Sequence, residues 1–177
     1  MRRVLIRTGL VAGLTLAVVA TAYAQVQFRS VVTGEELSMD DALPEGRDTP
    51  AAKKFLETGV NSYNENPAAL KKGEELFLTG CSGCHGHLAE GKIGPALNRN
   101  NWNYPQNGES DTGLFETIYG GAQRQMGPQS SLMTVDQILL TMAWVRHLYA
   151  GDASDAVWLD DAQRARFKPY KPPQGQH

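Results

Sequence analysis

Two stretches of the chain carry apolar residues at strong helical spacing, and together they set the expected fold. In the first, Leu70, Gly73, Leu76 and Phe77 fall on one side, Asn66 stands as N-cap with Pro67 at the first helical position, and Gly80 closes the helix. The second runs from Thr134 to Ala150, where Ile138, Met142, Val145 and Tyr149 form a stripe that Trp144 and Leu148 widen. So broad an apolar arc requires burial. Thr134 and Gln137 make a capping box at its start, Asp136 complements the helix dipole, and Arg146, His147 and Gly151 mark its end. A glycine inside a helix costs about 1 kcal/mol relative to alanine, so Gly73 needs a packing reason. Close crossing by the 134–150 helix supplies one.

Weaker patterns fill in the rest. Ala52, Phe55 and Leu56 share a face in Ala51 to Gly59, which reads as a short helix closed by its glycine. Asp111 or Thr112 caps another short helix, Leu114 to Tyr119, ended by Gly120-Gly121; its Leu114, Phe115 and Ile118 are expected to line a pocket. Gln25 to Val32 alternates weakly, and Thr33-Gly34 turns it into Glu36 to Met39, which predicts a short hairpin or an extended arm. Residues 40–50, with Pro44, Gly46 and Pro50, read as a connector, and 61–66 as a polar loop. After residue 152 a short helix at Asp160 to Phe167 precedes Pro169, Pro172 and Pro173, a pattern that fits a surface strap or a loose end. The expected fold is all-α.

The first 24 residues follow a different logic. Arg2, Arg3 and Arg7 precede an apolar run from Leu10 to Ala20, and Ala22-Tyr23-Ala24 is a small-residue cleavage site. The run is broken by Gly13 and Thr15 and falls short of the roughly 20 apolar residues a spanning helix needs. It reads as an export signal removed after Ala24, with no stable membrane insertion. Losing it leaves 14 basic against 19 acidic side chains, a net charge of about −5. That balance excludes a nucleic-acid binder; acidic charge usually means only a solvated surface, but it can also steer encounter with a basic patch on a partner. The remaining 153 residues suit one domain with extensions, divided as 25–63 before it, 64–152 for the domain and 153–177 for a tail.

Chemistry concentrates in Cys81-Ser82-Gly83-Cys84-His85. C-x-x-C-H is what covalent attachment of a c-type haem requires. Cysteines three apart share one face of a helical turn, so both sulfurs reach vinyl groups along one porphyrin edge, and His85 offers a neutral nitrogen to the iron. Other uses of the motif each lack a part. A structural zinc site wants four ligands, and the chain has 2 cysteines, with His87 too close to supply a second pair. A thioredoxin-like dithiol wants a strand ahead of it, where this chain reads as helix. A plain disulfide remains open where no haem is attached. In Gly94-Pro95-Ala96-Leu97 a backbone carbonyl can accept from the second His85 ring nitrogen, which fixes the tautomer.

The ligand opposite His85 decides between an electron carrier and a haem enzyme or gas sensor with an open distal site. His87 cannot cross the ring, His147 falls on the helix face opposite Ile138 and Tyr149 and reads as solvent-facing, and His177 ends a Pro-rich tail. Met142 sits in the apolar stripe and reads as packing. Met126, in a loop punctuated by Gly127 and Pro128, is favoured over Met133, which directly precedes the Thr134 cap. Trp102 and Tyr104 in the polar loop 98–111 need cover, from a haem edge, a partner or a satellite core contact.

With these residues in view the chain resembles the class I cytochromes c, and within them the cytochrome c-L family. The likeness rests on residues 28–35 (Phe-Arg-Ser-Val-Val-Thr-Gly-Glu), 44–49, 61–65, Cys81 to Pro95, Gly113 to Pro128 and Thr141 to Asp152. The N-terminal extension and residues 120–128, Gly-Gly-Ala through Met126-Gly127-Pro128, are the more particular parts. The resemblance implies a class I cytochrome c fold, with crossed N- and C-terminal helices around one covalent haem c in the 64–152 domain. It implies that Cys81 and Cys84 carry the haem and that His85 and Met126 are its axial ligands. It also implies a periplasmic carrier that is not itself an enzyme, takes electrons from pyrroloquinoline-quinone (PQQ) methanol dehydrogenase and gives them to a second cytochrome c. A calcium ion near the haem belongs to the same likeness, with ligands that do not map onto particular residues.

Overall fold

A computed structural model describes residues 26–100 and 109–172. The export signal, Trp102, Tyr104 and His177 lie outside the described residues. Among the described residues six α-helices follow in order: α1 (Pro50–Thr58), α2 (Pro67–Gly80), α3 (Ser82–His85), α4 (Asp111–Gly120), α5 (Val135–His147) and α6 (Asp161–Arg166). Short 3-10 turns at Met39–Asp41 and Ala153–Asp155 complete the regular structure. Among the described residues no helix is long and apolar enough to cross a membrane.

The two strong patterns become the two central helices. Asn66 caps α2 by accepting from the amides of Ala68 and Ala69, and Thr134 and Gln137 close the capping box of α5. α2 against α5 is the most extensive helix pairing among the described residues. Gly73 sits at their crossing. A methyl group there would lie 2.2 Å from the Leu140 carbonyl oxygen and 3.1 Å from Trp144 Cβ, so the close approach depends on a residue with no side chain. Phe77 of α2 and Met142 of α5 are fully buried in the same core. α4 differs from expectation at its start: Ser110, not Asp111 or Thr112, is the N-cap, accepting from Gly113 N at 3.0 Å. Asp111 is released from capping because its carboxylate is committed to a buried ion pair.

The N-terminal extension is a hairpin clamped onto the helices. Arg29 and Glu36 form an antiparallel bridge, with Ser30 N donating to Glu35 O at 2.8 Å and Leu37 N to Phe28 O at 2.9 Å. Its buried Phe28 ring lies 5.5 Å from Phe55 and 4.9 Å from Phe115, and Phe115 lies 5.1 Å from Tyr119. Phe115 therefore belongs to an aromatic cluster under the extension. Thr49 and Tyr63 hydroxyls both donate to Asp136 Oδ1, at 2.6 and 2.8 Å, so this residue of α5 holds the extension as well as complementing the dipole. Burial, followed by that carboxylate, pushes the Tyr63 phenol up to about 12.

The tail, as far as residue 172, is a strap. Tyr149 meets Trp158 edge-on at 4.9 Å and packs with Leu159 and Phe167, and Tyr170 N donates to Tyr149 O at 2.9 Å. His147 is half-buried between Trp144 (5.3 Å) and Tyr170 (5.5 Å), because the strap covers the face that the isolated helix would expose. Arg146 and Asp111, 1% and 4% exposed, pair at 3.1 Å. Asp111 also accepts from Asn61 N and Asn64 Nδ2, and the Arg146 guanidinium stacks 4.0 Å over Trp158. Burial draws the Arg146 pKa down while the Asp111 charge opposes it.

The crossing makes a quantitative prediction. Gly73→Ala should destabilise the protein by about 1–3 kcal/mol through forced separation of the helices, measured by denaturant unfolding. Gly80→Ala, where a methyl meets open space at the end of the same helix, should be neutral or stabilising by up to about 1 kcal/mol.

Candidate haem-binding site

The C-x-x-C-H motif is carried by the end of α2 and the single turn of α3. Cys81 N donates to Phe77 O at 2.8 Å, and Cys81 O accepts from Cys84 N and His85 N at 3.2 and 3.0 Å. Ser82 Oγ returns to Leu78 O at 2.7 Å. These bonds hold both cysteines and the histidine in one helical turn, as attachment to one porphyrin edge requires. The two thiols are free of each other. Cys84 is exposed and Cys81 is half-buried, and burial, then the neighbouring Cys84, raises the Cys81 thiol to about 11.

The loop after His85 folds straight back onto the motif. Gly91 N donates to His85 O at 2.6 Å, Gly94 N to Cys84 O at 2.9 Å, and Leu97 N to Ala89 O at 2.8 Å. This brings the Pro95 carbonyl oxygen to 2.9 Å from His85 Nδ1. A carbonyl can only accept, so Nδ1 carries a hydrogen and, in the neutral ring, Nε2 keeps its lone pair. That lone pair has no hydrogen-bond donor among the described residues, although His85 is 8% exposed. A buried neutral imidazole with its Nε2 lone pair uncommitted is what a haem iron takes as axial ligand. Free thiols on one turn and this tautomer both fit covalent haem. Gly94 packs against the ring itself, since a methyl at that position would lie 2.7 Å from His85 Cε1.

Cys81, Cys84 and His85 thus come together in one turn, while Met126 is carried by the separate loop between α4 and α5. That loop is less free than its glycine and proline suggest. Ala122 N donates to Met126 O at 2.8 Å, and Gln129 N returns to Ile118 O at 3.1 Å. Met126 is half-buried and packs against the core from its edge, whereas Met133 and Met142 are buried within it. The Asp111–Arg146 pair was not foreseen. In sequence the two read as a possible cap and a helix-end charge, and no local pattern links residues 35 positions apart. Among the described residues no group of three or more His, Cys, Asp or Glu side chains gathers to hold a metal ion.

A C-x-x-C-H turn ending one helix, and a C-terminal helix crossing that helix on a glycine, place the protein among the class I c-type cytochromes. The family described as cytochrome c oxidase, cbb3-type, subunit III, matches residues 68–145, from α2 through most of α5. Cytochrome c-L of Methylorubrum extorquens is 54% identical over 180 residues, covering 97% of this chain and 90% of that one. The crystal structure of cytochrome cL from the marine methylotroph Methylophaga aminisulfidivorans superposes with a TM-score of 0.80 at 52% identity, covering 85% of this chain and 99% of that one. That of Hyphomicrobium denitrificans cytochrome cL gives 0.77 at 52% identity, over 84% and 88% of the two chains. The chain belongs to the cytochrome c-L family, and it is an electron carrier with covalent haem c, not an enzyme.

The packing of Gly94 on the imidazole predicts that Gly94→Ala will tilt the ring, shift the reduction potential and lower stability by about 1–3 kcal/mol. Gly83→Ala, inside the motif but facing open space, should leave both unchanged. Redox titration and thermal melting of the two variants check this.

Proposed function

We propose that the protein is the periplasmic one-electron carrier that takes electrons from a PQQ-dependent methanol dehydrogenase and passes them to a second c-type cytochrome. The observation that carries this reading is near-full-length membership of the cytochrome c-L family. The signal-like residues 1–24 support export. In this reading residues 64–152 form the cytochrome c domain, with 25–63 as an N-terminal extension and 153–177 as a tail.

The site residues take defined parts. Cys81 and Cys84 would hold the haem through two thioether bonds. His85 would offer Nε2 to the iron, with Pro95 O keeping the proton on Nδ1. Met126 would supply a soft thioether ligand, which favours the reduced metal and raises the potential. When bound, the haem supplies an iron that gains and loses one electron. Methanol gives up two electrons on oxidation to the aldehyde, so each turnover of the donor needs two successive transfers. The buried frame of α2 and α5 keeps the site rigid between the two redox states. The exposed turn at Gly83 and Cys84 is where a partner reaches the haem edge.

Purified holo-protein mixed with PQQ methanol dehydrogenase and methanol should be reduced rapidly, as followed by its visible spectrum. Reduction by no such dehydrogenase would contradict the proposed donor. Separately, the oxidised protein should show the weak near-red band of a sulfur–iron bond, abolished by Met126→Ala and retained by Met133→Ala. The opposite pattern would move the ligand to Met133 and leave the carrier function in place.

A further inference from the structure

We propose that Gly121 is the positioning residue for the distal ligand, the point at which the backbone fixes where the Met126 thioether is presented. The inference rests on the reading of Met126 as the iron ligand, and its argument is conformational. Gly121 has φ +78° and ψ 174°, a region of backbone space that only glycine occupies without strain. It is also the residue against which the returning loop is packed. A methyl group at position 121 would lie 2.8 Å from Met126 O, 2.8 Å from Pro128 N and 2.9 Å from the carbonyl carbon of Gly127. All three are backbone atoms, which cannot swing aside as a side chain could.

The loop is closed around this contact. Ala122 N donates to Met126 O at 2.8 Å, Gln129 N to Ile118 O at 3.1 Å and Ser130 N to Tyr119 O at 3.4 Å, so both limbs are tied to each other or to the end of α4. Arg124, at φ +74°, makes the reversal between the limbs. Gly127, although it adjoins Met126, has no neighbour within 4 Å of an added methyl and no positive φ. The requirement for glycine therefore falls five residues before the ligand and not beside it. The physical expectation is that substitution at 121 pushes the 126–128 backbone outward and withdraws the sulfur, whereas substitution at 127 does not.

The test compares Gly121→Ala with Gly127→Ala in haem-loaded protein, with Met126→Ala alongside. Gly121→Ala should lose the near-red band of the oxidised protein, lower the reduction potential and let the reduced protein bind carbon monoxide. Gly127→Ala should do none of these. Retention of band and potential by Gly121→Ala, or an equal loss in Gly127→Ala, overturns the assignment. If Met126→Ala keeps the band, the ligand reading fails and takes the inference with it; if only Gly121→Ala keeps it, the inference alone fails. Should Gly121→Ala not mature, amide exchange of the unmodified protein decides. Ala122 N–H should lose protection at the denaturant concentration at which the near-red band disappears, and persistent protection after the band is gone would overturn the proposal.

Discussion

The closeness of α2 and α5 at Gly73 is the constraint on which the rest of the structure depends. Because the Leu140 carbonyl occupies the space a side chain would fill, α2 can lie in only one place along α5. The end of α2 is thereby fixed, and the C-x-x-C-H turn is the continuation of that end. Phe77 and Met142, both fully buried, belong to the one close-packed core that the two helices share, which makes the arrangement stiff. A carrier that changes only its electron count gains from such stiffness, since little structure needs to rearrange at each transfer.

Around this crossing the extension and the tail are held by polar contacts as well as by their aromatic clusters. Asp111 and Arg146 give up hydration, and such a pair is only stable when its remaining hydrogen-bonding capacity is met. Here Asn61, Asn64, the Glu109 carbonyl and the face of Trp158 meet it. The contact thereby ties four separate parts of the chain to one point: the loop before α2, the start of α4, the end of α5 and the tail. Asp136 does the same for Thr49 and Tyr63 at the other end of α5. The directional demands of these bonds specify where the extension and the strap lie, a role a purely apolar contact performs less well.

Much of this was legible in the residues. The caps of α2 and α5, the reason for Gly73 and the acceptance by the 94–97 segment of a bond from His85 each follow from one local pattern with one physical solution. Other features were not. Ser110 displaces Asp111 as cap because Asp111 is needed by Arg146, a tertiary demand that local cap preference does not contain. His147 reads as exposed on an isolated helix and is half-buried only because a strap from residue 170 lies across it. The loop that carries Met126 reads as free from its glycine and proline, yet its hydrogen bonds to α4 hold it closed.

The claim beneath the whole account is that this polypeptide carries one covalently bound haem at Cys81 and Cys84. Intact-mass analysis, after acid-acetone extraction, of the protein secreted by a host able to mature c-type cytochromes tests it most directly. The account predicts a chain beginning at Gln25 whose mass is raised by one haem that extraction does not remove. The bare mass of the polypeptide would contradict it.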